Sequence, residues 1–223
     1  MIEPKDCWIK HLCKKEECGD FCIKLFKLDT LFNEALVSMI QRQHVELRLD
    51  ADGTDREEFK RLKNIENDIE TFVESGSNLY IHSLNTGNGK TAWALRLLQV
   101  YFDKIWHKCD LSCHGLFINV PRFLIALKEN FENPSDYIAH IKAHVLDADL
   151  VIWDEIGTKV ATPFEAENLL SLINARLDMG KSNIYTSNLD SDELRERIGD
   201  RLYSRIMGFS TDIEFFGSDK RGI

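Results

Sequence analysis

The sequence predicts an α/β protein with a parallel sheet flanked by helices, preceded by a small cysteine-rich segment. Three observations carry this. From Asn78 onward, short apolar runs alternate with helical patterns, which is how a parallel sheet with crossover helices is written. The stretch SLNTGNGKT (83–91) lies between one such run and a helix start, where a glycine-rich phosphate loop belongs. Finally, four of the six cysteines, Cys7, Cys13, Cys18 and Cys22, crowd into the first 22 residues.

The elements follow in order. Residues 1–50 are expected to form the cysteine-rich module, and 51–223 the α/β domain, with 51–76 as its linker and first helix. Residues 46–74 are acidic, as suits a solvated face. Within them Phe59, Leu62, Ile65, Ile69 and Phe72 form one apolar helical stripe that stops at Gly76. Asp50-Ala51-Asp52-Gly53 lacks the spacing and final Glu of a calcium loop and is expected to be a turn. NLYIHSL (78–84) is a strand, and Lys90–Trp106 a helix. GLFINV (115–120) is the second strand, with Pro121 at a helix start. DLVIWDE (149–155) is the third, apolar until it meets two carboxylates. Thr162-Pro163-Phe164-Glu165 is a capping box opening a helix that runs to Gly180. SNIYTSN (182–188) is the fourth strand. One charged helix and a short extended tail complete the chain.

With 43% hydrophobic and 29% charged residues, the composition is that of a soluble globular domain. No apolar run approaches the ~20 residues of a membrane span, and the N-terminus lacks a signal-peptide core, so a cytoplasmic location is expected. The net charge of −9 disfavours a protein that is basic overall and coats nucleic acid, but leaves room for a local basic groove.

The loop carries the chemistry. Thr86, Gly87, Asn88 and Gly89 would turn backbone N–H groups toward phosphate oxygens, and the Lys90 helix adds its positive end. Lys90 would reach the β- and γ-phosphates of ATP, and the Thr91 hydroxyl would hold Mg²⁺. The first glycine of the usual pattern is replaced by Leu84, at the turn into the loop. Asp154 and Glu155, ending an apolar strand, suit a pair in which the first carboxylate holds Mg²⁺ and the second polarises the attacking water. Asn188 at a strand tip can orient that water. Arg201 and Arg205, four apart on one helical face, can present an arginine finger to a neighbouring subunit. Each residue has a bland alternative: a chance GKT, an exposed acidic strand end, a turn-forming Asn, or surface arginines paired to Glu196 or Asp200.

The cysteines are spaced C-x5-C-x4-C-x3-C, with His11 inside. Four thiolates complete a tetrahedral zinc shell, and a metal supplies folding free energy that so short a segment lacks. An iron–sulfur cluster and plain thiols remain open. A second group, His107, Cys109, Cys113 and His114, lies in a connection and is the weaker metal candidate.

In order, NLYIHSLNTGNGKT, GLFINVPRFLIALKENF, DADLVIWDEIGT, NIYTSNL and GDRLYSRIMG resemble the AAA+ ATPases, most closely the DnaC/DnaI helicase loaders and the related IstB transposition ATPases. The resemblance covers roughly residues 57–210. It implies a P-loop AAA+ core with a reduced C-terminal lid. It implies ATP and Mg²⁺ at Lys90, Thr91, Asp154 and Glu155, a sensor at Asn188, and a finger at Arg205, with Arg201 second. Arg221 falls near where such proteins place a further phosphate-sensing arginine. It also implies an ATP-dependent oligomer, a replicative helicase and single-stranded DNA as partners, a phage-type replication role, and zinc on the N-terminal cysteines. Lys128, Lys142 and Arg122 are the candidates for DNA contact. An IstB-like transposition helper, a small P-loop kinase and a module that holds ATP without hydrolysing it are the alternatives.

Overall fold

The computed structural model describes residues 7–13, 21–43, 45, 47–49 and 52–220. Five parallel strands form one sheet: β1 (Asn78–His82), β2 (Gly115–Asn119), β3 (Leu150–Asp154), β4 (Ser182–Ser187) and β5 (Ser210–Glu214), in spatial order β2-β3-β4-β1-β5. Every residue of β1, β3 and β4 is buried, so none of the three shows the alternation of a half-exposed strand, even though β4 is polar at Ser182, Asn183, Thr186 and Ser187. The extended tail expected after the last helix contributes β5, a fifth strand that the sequence does not announce because STDIE buries only Ile213, as an edge strand paired on one side can.

The helices are α1 (Ile23–Glu34), α2 (Met39–Gln43), α3 (Arg56–Asn67), α4 (Ile69–Glu74), α5 (Lys90–Ile105), α6 (Val120–Glu129), α7 (Asp136–His144), α8 (Pro163–Asp178), α9 (Ser191–Ile198) and α10 (Asp200–Phe209). The single stripe expected over 59–72 is two helices broken at Asp68; the break keeps Ile65 and Ile69 facing the core, which is why the periodicity hides it. The single C-terminal helix is likewise two, parted by Gly199 at φ +85°. The capping box at Thr162 and Glu165 forms in full, with Thr162 N–H donating to Glu165 Oε2 at 2.8 Å. Glu165 also takes a salt bridge from Lys159.

The division expected at residue 50 does not coincide with a gap in packing. Leu28, Leu31, Phe32 and Val37 share one buried core with α3, α5 and the sheet. Phe32 meets Phe102 edge-on at 5.0 Å, and Phe117 N–H of β2 donates to the Ala35 carbonyl at 2.8 Å. No helix among the described residues is long and apolar enough to cross a membrane.

Candidate nucleotide-binding site

A cavity of about 520 Å³ opens at the carboxyl ends of β1, β3 and β4, where an open parallel sheet places its ligands. Thr86 to Thr91 line it, together with Glu155 and Asn188. Most of the predicted site residues therefore meet, although 64 positions separate Thr91 from Glu155.

The loop after β1 is held from inside. Asn88 is fully buried and its Nδ2 donates to Ser83 Oγ at 2.6 Å. The Lys90 ammonium donates to the Asn85 carbonyl at 2.7 Å and to Asn88 Oδ1 at 3.1 Å, which holds it beside the loop backbone. Gly87 and Gly89 have φ of +71° and +106°, where a side chain would be strained. Leu84, the departure from the usual pattern, is 64% exposed and outside the cavity lining. Its side chain takes no room from the loop.

Thr91 Oγ1 donates to Asp154 Oδ1 at 2.8 Å, and the same oxygen accepts from Thr186 Oγ1 at 2.8 Å. Burial pushes the Asp154 carboxyl above its ordinary range. The neighbouring charge of Glu155 adds to this, and the two hydroxyls oppose it. A divalent cation beside Thr91 and Asp154 would offset that desolvation, and this hydroxyl–carboxylate pair has the oxygen chemistry Mg²⁺ takes. Glu155 follows with φ +59°, a left-handed backbone rare for a non-glycine residue. Its N–H donates to Thr186 Oγ1 at 3.0 Å. The half-buried carboxylate accepts from Asn119 Nδ2 at 3.1 Å.

Asn119 is a residue the sequence argument missed. The register of β2 on β3 pairs Asn119 with Asp154, which brings its amide to Glu155. Only strand order reveals this. Leu47, Arg48, Phe59, Thr186 and Lys220 also line the cavity without having been anticipated. Lys220 lies 5.3 Å from the centroid of the Phe59 ring.

Arg201 and Arg205 are not in this cavity. Both are exposed on α10, Arg205 over the Phe209 ring at 5.8 Å. Arg122, Lys128 and Lys142 are exposed, with Arg122 stacked over Tyr137 at 4.5 Å. Arg221 and Cys18 lie outside the described residues. Cys7, Cys13 and Cys22 are half-buried, and among the described residues they do not bring three donor atoms within 4.8 Å of one another. Cys22 instead caps α1, its Sγ accepting from Leu25 N–H, and His11 faces Gln99 of α5 at 3.3 Å. In the second group, Cys113 is buried with its thiol on the Gly115 carbonyl, and His114 is bonded to Asp110 and Asp149.

A five-stranded parallel sheet in this order, flanked by helices and with a glycine-rich loop after β1, matches the P-loop AAA+ fold. No protein-family model matches the chain, and no curated protein does. Solved structures do. A crystal structure of the DnaC helicase loader is similar over 83% of this chain and 98% of that one, at 18% identity and a TM-score of 0.62. A putative primosome component from Streptococcus pyogenes serotype M3 gives 86% and 98%, at 16% identity and 0.58. The replication initiator DnaA bound to AMPPCP and single-stranded DNA gives 75% and 48%, at 18% identity and 0.56, so the match spans about half of that protein. At these identities the likeness is one of fold.

Proposed function

We propose that this chain is an ATPase that loads a replicative helicase onto single-stranded DNA, a phage-type replication protein acting as an ATP-dependent oligomer. One observation carries the ATPase part. Lys90, Thr91, Glu155 and Asn188 line a single cavity, and Thr91 is hydrogen-bonded to Asp154. In this reading the loop binds ATP, Thr91 and Asp154 hold Mg²⁺, Glu155 polarises water, and Asn188 orients it beside the γ-phosphate. The exposure of Arg205, away from its own cavity, suits a finger given to the next subunit, with Arg201 as the second choice. The DNA-replication part is supported by the helicase-loader, primosome and initiator structures that share the fold. Zinc on Cys7, Cys13, Cys18 and Cys22 belongs to the same proposal.

Two variants and their mixture test it. Lys90→Ala should abolish nucleotide binding. Arg205→Ala should bind nucleotide and lose DNA-stimulated hydrolysis. Mixed together, the two inactive proteins should recover part of the activity, because one supplies the site and the other the finger. An Arg205→Ala protein that hydrolyses ATP normally, or a mixture that stays inactive, removes the finger from the mechanism.

A further inference from the structure

Away from the nucleotide cavity, Glu34, His140 and His144 each bring one donor atom within 4.8 Å of the other two. This is the only such trio of His, Cys, Asp or Glu among the described residues. Nothing in the ATPase chemistry uses them. His140 and His144 stand one turn apart on α7, so they share a face, and their ring centroids are 4.6 Å apart. Glu34 comes from the end of α1, 106 positions before His140.

Both carriers are anchored. Leu31 and Phe32 of α1 and Ile138 and Ile141 of α7 are buried, and the turn after Glu34 is tied to β2 through Ala35. The three donors themselves are half-buried, open to an ion from solvent. His140 Nε2 donates to the Glu34 backbone carbonyl at 2.7 Å. A carbonyl only accepts, so Nε2 carries a proton and Nδ1 holds the lone pair of the neutral ring. Metal-bound histidines are commonly oriented in this way, one nitrogen on a backbone carbonyl and the other on the ion.

We propose that Glu34, His140 and His144 form a binding site for a divalent transition-metal ion, zinc above all, with a fourth position left to water. Two imidazoles and a carboxylate form a set that zinc accepts and that the oxygen-seeking Mg²⁺ and Ca²⁺ do not prefer. Bonds of about 2.0–2.2 Å to a tetrahedral ion put ligand atoms roughly 3.4 Å apart, a small rotation away for half-buried side chains. The ion would clasp α1 to α7, fastening the N-terminal segment to the α/β domain. This inference is independent of the ATPase reading.

The test must separate this site from the N-terminal thiols. Full-length protein stripped with a chelator, carrying Cys7→Ser, Cys13→Ser, Cys18→Ser and Cys22→Ser, is titrated with Co²⁺ by absorbance and with Zn²⁺ by calorimetry. One equivalent should bind, with cobalt d–d bands and no thiolate charge-transfer band. Adding His140→Ala and His144→Ala should abolish that equivalent, and Glu34→Gln should weaken it by at least ~10-fold. Zinc should raise the melting temperature of the four-Ser protein but not of the six-fold variant, and the two should melt alike in chelator. If the four-Ser protein does not fold, the wild type is compared with His140→Ala/His144→Ala, which should bind one equivalent fewer. The proposal is overturned if no equivalent binds in the four-Ser background, or if the metal count is the same with and without the two histidines.

Discussion

Replacing Asn119 with Ser separates two tasks that one side chain performs. Its Oδ1 accepts from Arg122 N–H at 3.1 Å and caps α6, while its Nδ2 donates to Glu155 Oε2 at 3.1 Å. Serine caps a helix about as well as asparagine, so Asn119→Ser should leave α6 intact. It is too short to reach Glu155. A hydrogen bond to a buried charged acceptor contributes about 1.5–3 kcal/mol. Here the bond is long and half-exposed, so about 1 kcal/mol is the reasonable figure. If that bond holds Glu155 off the water it must polarise, releasing it lowers the barrier by the same amount, roughly a 5-fold gain in rate. Phosphate release by Asn119→Ser without DNA should therefore rise about 3- to 10-fold, with a smaller further gain on adding DNA. A melting temperature close to wild type would confirm that the cap survives. An unchanged or lower basal rate in a stably folded variant would refute the restraint, and would make Asn119 a group that Glu155 needs in order to act.

Two further predictions concern stability. Arg176 is fully buried, and its guanidinium donates to the Val145, Ala148 and Ser182 carbonyls and to Asn183 Oδ1, while burial pulls its pKa down to about 10. Arg176→Met strands those three carbonyls at a cost of about 3–5 kcal/mol, which lowers Tm by about 10 °C for a chain of this size; a loss under 2 °C would show that the carbonyls find water. The second is a pH effect at His114. Its bonds to Asp149 and then Asp110 raise its pKa, while those from His114 and Lys181, against the opposing pull of burial, bring Asp149 down to about 2. A raised histidine stabilises fully below its unfolded pKa of about 6.5 and loses that stabilisation as pH climbs through the folded value. Asp149 stays ionised throughout that range. The deficit of His114→Gln in Tm should be largest near pH 6 and shrink toward pH 9; a deficit that grows with pH contradicts the assignment.

What the sequence discloses depends on how local the signal is. The phosphate loop, Asp154-Glu155 and Asn188 each stand at a strand's carboxyl end, where a run of buried residues stops and a polar one begins. Linear text shows such a boundary. Asn119 is the same kind of boundary, but its meaning lies in its β3 neighbour, and pairing order is not written along the chain. Arg48 and Lys220 reach the cavity from segments far from the loop in sequence. Glu34 lies more than a hundred positions from the histidines it meets, so even an obvious i, i+4 histidine pair carried no signal. The α1 segment looks detachable because its cysteines suggest a separate module. Its apolar side, Leu28, Leu31 and Phe32, is what seats it in the main core.

The segment that follows β5 braces the glycine-rich loop. Asp55, buried at φ +65°, accepts Phe216 N–H at 2.7 Å and Gly217 N–H at 2.9 Å, and fixes the chain where it leaves β5. Asn85 Nδ2 donates to the carbonyls of the same two residues at 2.9 and 3.1 Å. Lys220 N–H then donates to the Gly87 carbonyl at 3.0 Å, and its ammonium reaches the Asn88 carbonyl at 3.5 Å. The tail thus bonds the loop at Asn85, Gly87 and Asn88. A ligand that shifts Gly87 and Asn88 has to shift or release the tail, and anything that holds the tail stiffens the loop. If the loop binds nucleotide as proposed, its affinity and the position of the tail are linked through these bonds, with reciprocal effects on each other.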